Sequence, residues 1–262
     1  MPLFDAHLHF SDARLDAMRV QAEDVALCAN VTHGITCAAF PEEWTKPLST
    51  RLNLTYAYGV HPWCATDATP DALEALRECL VQHPSALIGE TGRDALRPVS
   101  DGGLAQQRLF AFHLELAVAF QRPLILHGAR AWQALFTQLE PWIARLPAVM
   151  IHSASFAPEM LQSPLFAKHH NIWFSFGGTL LNPRARTVHA LATKVPAHRL
   201  LIETDAPDCL PHTCPPLGET QLNHSGNLPR ILEALAKLRD APIAELADQT
   251  FQNALHFIRA EV

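Results

Sequence analysis

Eight short apolar runs along the 262 residues constrain the fold of this chain more than any other feature. Amphipathic or polar segments separate the runs, as strands alternate with helices in a parallel sheet. The predicted strands are Leu3–Leu8, Ile35–Phe40, Leu54–Gly59, Ala86–Glu90, Pro123–His127, Ala148–His152, Ile172–Ser175 and Leu200–Thr204. Segments between them that have a helical pattern are Asp71–Gln82, Leu104–Phe120, Ala131–Leu139 and Arg184–Lys194.

Eight strands of this kind predict a (β/α)8 TIM-like barrel, which is an α/β fold. No repeat or low-complexity linker divides the sequence, so residues 1–262 are predicted to form a single domain. The loop from Ala206 to Asn227 is longer than an ordinary βα connection. Because it follows the eighth strand, it is expected either to cover a substrate or to be a plain surface insertion.

Charge and cysteine content exclude some classes of protein. Lys and Arg number 20 against 26 Asp and Glu, and the net charge of −6 argues against a broad basic face that coats nucleic acid. An enzyme that meets phosphodiesters through bound cations remains compatible with this charge. The six cysteines form no C-x-x-C motif, and there is neither a signal segment nor a membrane-spanning apolar run. These features predict a cytoplasmic protein with free thiols, no membrane contact and no obligate protein partner.

Polar side chains stand at or just after the ends of most predicted strands. His7 and His9 lie two residues apart on a strand and therefore point to the same face. In a closed parallel barrel the carboxyl ends of all strands meet at one rim, so these side chains are expected to converge. They are His7, His9, His61, Glu90, His127, His152, Glu203 and Asp205.

Each of these residues taken alone could be a helix cap, a turn residue or a buried packing group. Together, however, the carboxylates Glu90, Glu203 and Asp205 would repel one another, and divalent cations relieve that repulsion. Four histidines and two carboxylates are too many ligands for one tetrahedral ion and predict two ions that share a carboxylate. The predicted metal ligands are His7, His9, Glu90, His127, His152 and Asp205.

Glu90 is expected to bridge the two ions, because its strand lies midway around the rim. Strands one and eight are neighbours in a closed barrel, as are strands five and six. The first ion is therefore assigned to His7, His9 and Asp205, and the second to His127 and His152. Four imidazoles favour zinc, manganese or iron over magnesium, although the identity stays open among the four.

Other kinds of active site find no support in the sequence. There is no G-x-S-x-G motif, no cysteine in a catalytic frame, no G-x-G-x-x-G and no P-loop. A hydrolase that uses a metal-activated water is the predicted class of enzyme.

The chain resembles the TatD-type deoxyribonuclease family of the metal-dependent, amidohydrolase-like hydrolase superfamily. The motifs that carry the resemblance are Phe4-Asp5-Ala6-His7-Leu8-His9, Gly59-Val60-His61-Pro62, Ile88-Gly89-Glu90-Thr91-Gly92-Arg93-Asp94, Arg122–His127, Met150–Ser153, Phe176–Thr179, Leu201–Pro207, Asn227–Pro229 and Thr250–Ala254. The resemblance implies a TIM-like barrel, the six metal ligands named above and hydrolysis of phosphodiester bonds in DNA. It places His61 near the substrate phosphate, and it implies catalytic roles for Glu90 and for Asp205, which would orient or deprotonate the attacking water.

The sequence departs from the family pattern where basic groups are usual. The stretch His152–Phe156 replaces a His-Cys-Phe-Ser-Gly-like motif, Gly128-Ala129 precede Arg130, and Leu222–Pro229 lacks the arginine of the family loop. Arg93 stands where an apolar residue is more common, and it is predicted either to contact substrate, as Glu203 is, or to be a surface charge. The losses favour a smaller substrate, and a hydrolase of a small ester, lactone or amide is therefore an alternative. A barrel that only binds metal, without catalysis, is a further alternative and requires a closed site with no exchangeable water.

Overall fold

The computed structural model of the chain describes residues 1–44, 50–97 and 101–260. Its eight strands are parallel and form one sheet in which the spatial order is the order along the chain. The strands are β1 (Leu3–Leu8), β2 (Val31–Ala38), β3 (Asn53–Tyr58), β4 (Leu87–Asp94), β5 (Leu124–Ala129), β6 (Val149–Ile151), β7 (Ile172–Phe176) and β8 (Leu200–Ile202). The predicted (β/α)8 architecture is confirmed.

The first and last strands meet and nearly close the barrel. The backbone N–H of Asp205, just beyond β8, donates to the carbonyl of His7 in β1 at 3.0 Å. Deeper in the same seam, the buried carboxylate of Asp5 accepts hydrogen bonds from the backbone N–H and the hydroxyl of Thr204, at 2.9 and 2.6 Å. These bonds fix the ends of β1 and β8 side by side.

The helices surround the sheet and bury its outer face. They are α1 (Arg19–Cys28), α2 (Pro70–Gln82), α3 (Leu104–Phe120), α4 (Trp132–Leu139), α5 (Pro164–Lys168), α6 (Arg186–Lys194), α7 (Leu228–Arg239) and α8 (Ile243–Arg259). The four helices predicted from sequence are found, with bounds that differ by no more than two residues. In α8, Ala254 and Phe257 pack into the apolar cluster that fills the barrel interior.

The alternation of side chains along the strands places polar residues directly above that interior. Ile125 and Met150 belong to the buried interior cluster. Because alternate residues of a strand share a face, His127 and His152 stand over them at the carboxyl end of the barrel. The polar residues therefore form one further layer of side chains, directly above the packed apolar interior of the barrel.

Strand β4 is longer than the sequence predicts. The prediction that it ends at Glu90 is wrong, because pairing with β5 continues to Asp94. Gly92 makes this possible: its φ is +140°, and a Cβ there would lie 2.1 Å from the carbonyl oxygen of His127. Glu90 therefore lies within a strand, at an irregularity in the pairing between Ile88 and Thr91, rather than in a loop.

Strand β2 runs from Val31 to Ala38, whereas the sequence predicts Ile35–Phe40. The prediction missed the first half of this strand because Thr32 and His33 are polar there, and both are half-buried. Pairing with both neighbouring strands decides its bounds.

The segment from Ala206 to Asn227 is packed onto the barrel by buried amides. The side-chain amide of Asn223 donates to the carbonyl of Thr204 at 2.8 Å, and that of Asn227 donates to Asn223 Oδ1 at 2.9 Å. The proposed cover over the substrate stays a prediction. All six cysteines are free, as predicted. Among the described helices, none combines the length and apolar character that crossing a membrane requires.

Candidate metal centre

Four donor atoms form a compact group at the carboxyl ends of β1 and β8. His7 Nε2 lies 3.3 Å from His9 Nε2, 3.4 Å from Glu90 Oε2 and 3.6 Å from Asp205 Oδ1. His9 Nε2 lies 3.5 and 3.4 Å from the same two oxygens. Ligands about 2.1 Å from a tetrahedral ion are separated by about 3.4 Å, so these five distances match the edges of such a site.

A second group surrounds the other oxygen of the same glutamate. Glu90 Oε1 lies 2.7 Å from His127 Nδ1 and 2.9 Å from His152 Nε2, and these two nitrogens are 3.2 Å apart. His61 Nε2 is 3.5 Å from Glu90 Oε1. Glu90 therefore faces one group with each oxygen, and its side chain is 2 % exposed. Each group contains three residues whose donor atoms lie close enough together to hold one ion: His7, His9 and Glu90 in the first, and His61, Glu90 and His127 in the second.

The distant nitrogen of each candidate histidine ligand is held by a neighbour. His9 Nδ1 lies 3.0 Å from the carbonyl oxygen of Cys37, and His7 Nδ1 lies 3.4 Å from its thiol sulfur. Carboxylates hold the other two: His127 Nε2 lies 3.0 Å from Asp94 Oδ2, and His152 Nδ1 lies 3.3 Å from Glu203 Oε1. Where the neighbour is an acceptor, as it is for His9, His127 and His152, it can take the N–H of the nitrogen it faces, so the other ring nitrogen can bind a metal through its lone pair.

His61 has the opposite arrangement. The backbone N–H of Trp63 donates to His61 Nδ1 at 3.1 Å, so that nitrogen is unprotonated. Burial lowers the pKa of His61, and the neutral ring therefore carries its proton on Nε2, which faces Glu90. His61 thus presents a hydrogen-bond donor to the site, whereas each of the other four histidines can bind an ion through its inner nitrogen once any proton there is displaced.

Electrostatics keep the carboxylates ionised. Burial raises the pKa of Glu90, but the positive charge of His152 and the hydrogen bond from His127 outweigh burial and hold that pKa well below its ordinary value. For His9, burial lowers the pKa, yet the hydrogen bond to Asp205 and the charge of Glu90 prevail and raise it to about 9. The cluster therefore holds negative oxygens that histidine protons balance, and a cation can replace those protons.

Glu203 and Arg93, which were predicted to contact substrate, instead form hydrogen bonds with other groups of the protein. Glu203 is fully buried; its Oε1 accepts from the backbone N–H of Ser153 at 2.7 Å. The guanidinium of Arg93 donates to Gln138 Oε1 and to the carbonyl of Gly103, both at 3.3 Å. Arg93 therefore lies beside α3 and α4, and the structure does not bring it to the histidines.

Asp94 belongs to one of the family motifs, but no role was predicted for it. Its Oδ2 accepts from His127 Nε2 and, at 2.7 Å, from the indole N–H of Trp63. The sequence spacing could have identified Asp94 as a site residue. Asp94 is four residues after Glu90, so both side chains share one face of a strand. This inference required that β4 extend beyond Glu90.

Two histidine–carboxylate groups at the carboxyl end of a (β/α)8 barrel define a candidate site of the metal-dependent hydrolase class. Comparison with known proteins narrows this class. Residues 4–259 match the family model described as TatD related DNase. The 3'-5' ssDNA/RNA exonuclease TatD of Escherichia coli (strain K12) is 32 % identical over 196 residues, which is 74 % of each chain.

Solved structures of other proteins are also similar to this chain. The crystal structure of YJJV, a TatD homologue from Escherichia coli K12, superimposes with a TM-score of 0.85 at 26 % identity, covering 98 % of this chain and 97 % of that one. An uncharacterised amidohydrolase from Saccharomyces cerevisiae has a TM-score of 0.82 at 17 % identity, covering 98 % and 99 %, and shares the fold. The chain belongs to the TatD-related DNase family. The predicted family and the predicted class, a metal-dependent hydrolase of the nuclease type, are confirmed.

Proposed function

We propose that the protein hydrolyses phosphodiester bonds of single-stranded nucleic acid with two divalent ions held at the barrel rim. One observation carries the proposal: the two oxygens of Glu90 face two separate groups of histidines whose distant ring nitrogens are held by neighbouring groups of the protein. In the proposed centre His7, His9 and Asp205 would hold the first ion and His127 and His152 the second, with Glu90 as a ligand to both.

Ions at these positions would activate a water molecule near neutral pH and neutralise the charge of a phosphate. Asp205 is the carboxylate placed to receive the proton from that water. Its side chain is 15 % exposed, whereas Glu90 is 2 % exposed and Glu203 is fully buried. The pKa of Asp205 is below its ordinary value, because the hydrogen bond to His9 and the neighbouring histidines outweigh burial, so the carboxylate is ionised and able to accept.

His61 is proposed to bind the substrate and not the metal. Its Nε2–H donor suits a phosphate oxygen, and coordination through Nε2 would require a proton on Nδ1, where the N–H of Trp63 already points. Glu203 is proposed to orient His152 through Nδ1, since no part of it is exposed to a substrate. Arg93 carries no proposed role in the site, given its contacts with the outer helices.

The substrate class comes from the relatives. The TatD enzymes that are about a third identical to this chain are named as exonucleases of ssDNA and RNA. Zinc, manganese, iron and magnesium all remain candidates, with the imidazole-rich ligand set favouring the first three. We further propose that residues 1–262 form one domain and that the protein acts in the cytoplasm, on the basis of the continuous barrel and the free cysteines.

The test uses purified protein after treatment with a chelator. We expect hydrolysis of a single-stranded oligonucleotide to vanish and to return when one of the four metals is restored, with about two equivalents bound. Glu90→Gln and His127→Ala should abolish turnover while circular dichroism stays unchanged. A panel of small phosphodiesters, lactones and amides, assayed in parallel, distinguishes the alternative hydrolase. Full activity in the chelated protein would refute the metal-dependent mechanism.

A further inference from the structure

One aromatic side chain stands exposed beside the candidate centre. Trp63 follows β3 at the carboxyl end of the barrel and is 42 % exposed. Among the described residues, Trp63 is the one aromatic residue in the set of exposed large apolar side chains. Its ring centroid is 4.5 Å from that of His61, and His61 is 4.6 Å from His127. The indole therefore lies between the metal groups and solvent.

Trp63 is held in a fixed orientation. Its indole N–H donates to Asp94 Oδ2 at 2.7 Å and its backbone N–H donates to His61 Nδ1 at 3.1 Å. The guanidinium carbon of Arg97 lies 3.4 Å from the centre of the ring, so a planar cation is stacked on one face. The result is a positively charged stack beside the candidate centre, on a protein whose net charge is −6.

We propose that the stack of Trp63 and Arg97 binds an unpaired nucleobase next to the phosphate that is cleaved. This inference rests on the proposed nuclease function. A base lies one sugar away from its phosphate, and the indole is the aromatic ring next to His61, with the two ring centroids 4.5 Å apart. Bases stack on tryptophan rings and on guanidinium planes, and every base has the π-face that this contact requires. A base inside a duplex already has both faces covered, so the stack selects single strands without reading their sequence.

The experiment compares two oligonucleotides of equal length, one with natural bases and one made entirely of base-free deoxyribose phosphates. For the wild type we expect kcat/KM to favour the natural strand by about tenfold, the size of one base–aromatic contact. Trp63→Leu should bring the ratio close to one, and Arg97→Met should lower it. Because the ratio compares two substrates on one variant, a general loss of activity through Asp94 cancels.

Two further variants make the test decisive. Trp63→Phe keeps an aromatic face but loses the indole N–H, and it should retain most of the ratio. Trp142→Leu removes the tryptophan of another stacked pair, whose partner Arg145 lies 5.1 Å from the ring near the opposite end of the barrel, and it should leave the ratio unchanged. An unchanged ratio in Trp63→Leu would overturn the proposal.

Fluorescence anisotropy of the same labelled strands with chelator-treated protein supplies a readout that needs no catalysis. Stronger binding of the natural strand, lost in Trp63→Leu, supports the base contact. If this binding difference is found but no metal restores hydrolysis, the nuclease function fails and the base site stands. If hydrolysis is metal-dependent but neither assay distinguishes the two strands, the base site fails and the nuclease function stands.

Discussion

Replacement of Asp94 by asparagine isolates the group that orients one proposed metal ligand. The carboxylate accepts three hydrogen bonds: from His127 Nε2 at 3.0 Å, the Trp63 indole at 2.7 Å and the Leu96 backbone N–H at 2.7 Å. Gln106 brackets its backbone through paired bonds of 3.0 Å, so the strand itself should not move. The substitution changes the charge and one acceptor atom, and little else.

The magnitude follows from what an amide can accept. If the oxygen of the new amide faces His127 and Trp63, its NH2 group opposes the N–H of Leu96; in the other orientation the NH2 group opposes both rings. In either case at least one bond is lost and the remaining ones no longer involve a charge. Groups that orient a metal ligand in this way contribute about 10- to 100-fold to metal affinity, which corresponds to about 1.4–2.7 kcal/mol.

The assay is competition for metal between the protein and a chromophoric chelator, with wild type and Asp94→Asn side by side. We expect the weaker of the two binding steps to lose affinity by the stated factor, and excess metal to restore much of the activity. Asp101→Asn serves as the matched control, because that carboxylate accepts from the backbone N–H groups of Gly103 and Ala105, beside the start of α3. Equal metal affinity in Asp94→Asn and wild type would refute the orienting role.

Three further predictions concern metal exchange and stability. Gly92→Ala should destabilise the fold by more than about 1–3 kcal/mol in urea unfolding, since its φ of +140° alone costs that much and a Cβ would meet the His127 carbonyl. Metal affinity should rise from pH 6 to pH 8, by roughly tenfold per unit for each proton displaced, because metal-free His9 has a pKa of about 9 and must lose its proton. Burial raises the pKa of Asp5 to about 7, so metal-free protein should lose up to roughly 1.4 kcal/mol per pH unit between pH 4 and 7, and Asp5→Asn should remove this slope.

Each of these predictions has an outcome that contradicts it. The prediction for Gly92→Ala is contradicted if its unfolding midpoint equals that of the control Gly102→Ala. A Cβ at Gly102 would meet no atom within 4 Å. The proton–metal exchange is wrong if chelator competition gives the same affinity at both pH values. For Asp5, the folded protein binds a proton that the unfolded chain has released, which sets the sign; parallel pH curves for wild type and Asp5→Asn would contradict it.

Most of the fold could be predicted because the periodicity of apolar residues is local information. Strand β1 and helix α3 were predicted to the residue, since each is a continuous segment with clear boundaries. Strand β4 was cut short because its second half, Thr91–Asp94, carries polar side chains and a glycine that resembles a turn. Those residues are buried by β5 and α3, which lie elsewhere in the sequence.

What the sequence alone determined is the set of candidate ligands: histidines and carboxylates after apolar runs, in a number that suits more than one ion. What the tertiary structure decided is which partner each ring nitrogen of an imidazole faces. His61 and His127 look alike in the sequence, yet one ring nitrogen of His61 faces an N–H donor and one of His127 faces a carboxylate. The location of a proton depends on which partner lies within about 3 Å of a nitrogen, and only the closing of the barrel brings those partners together.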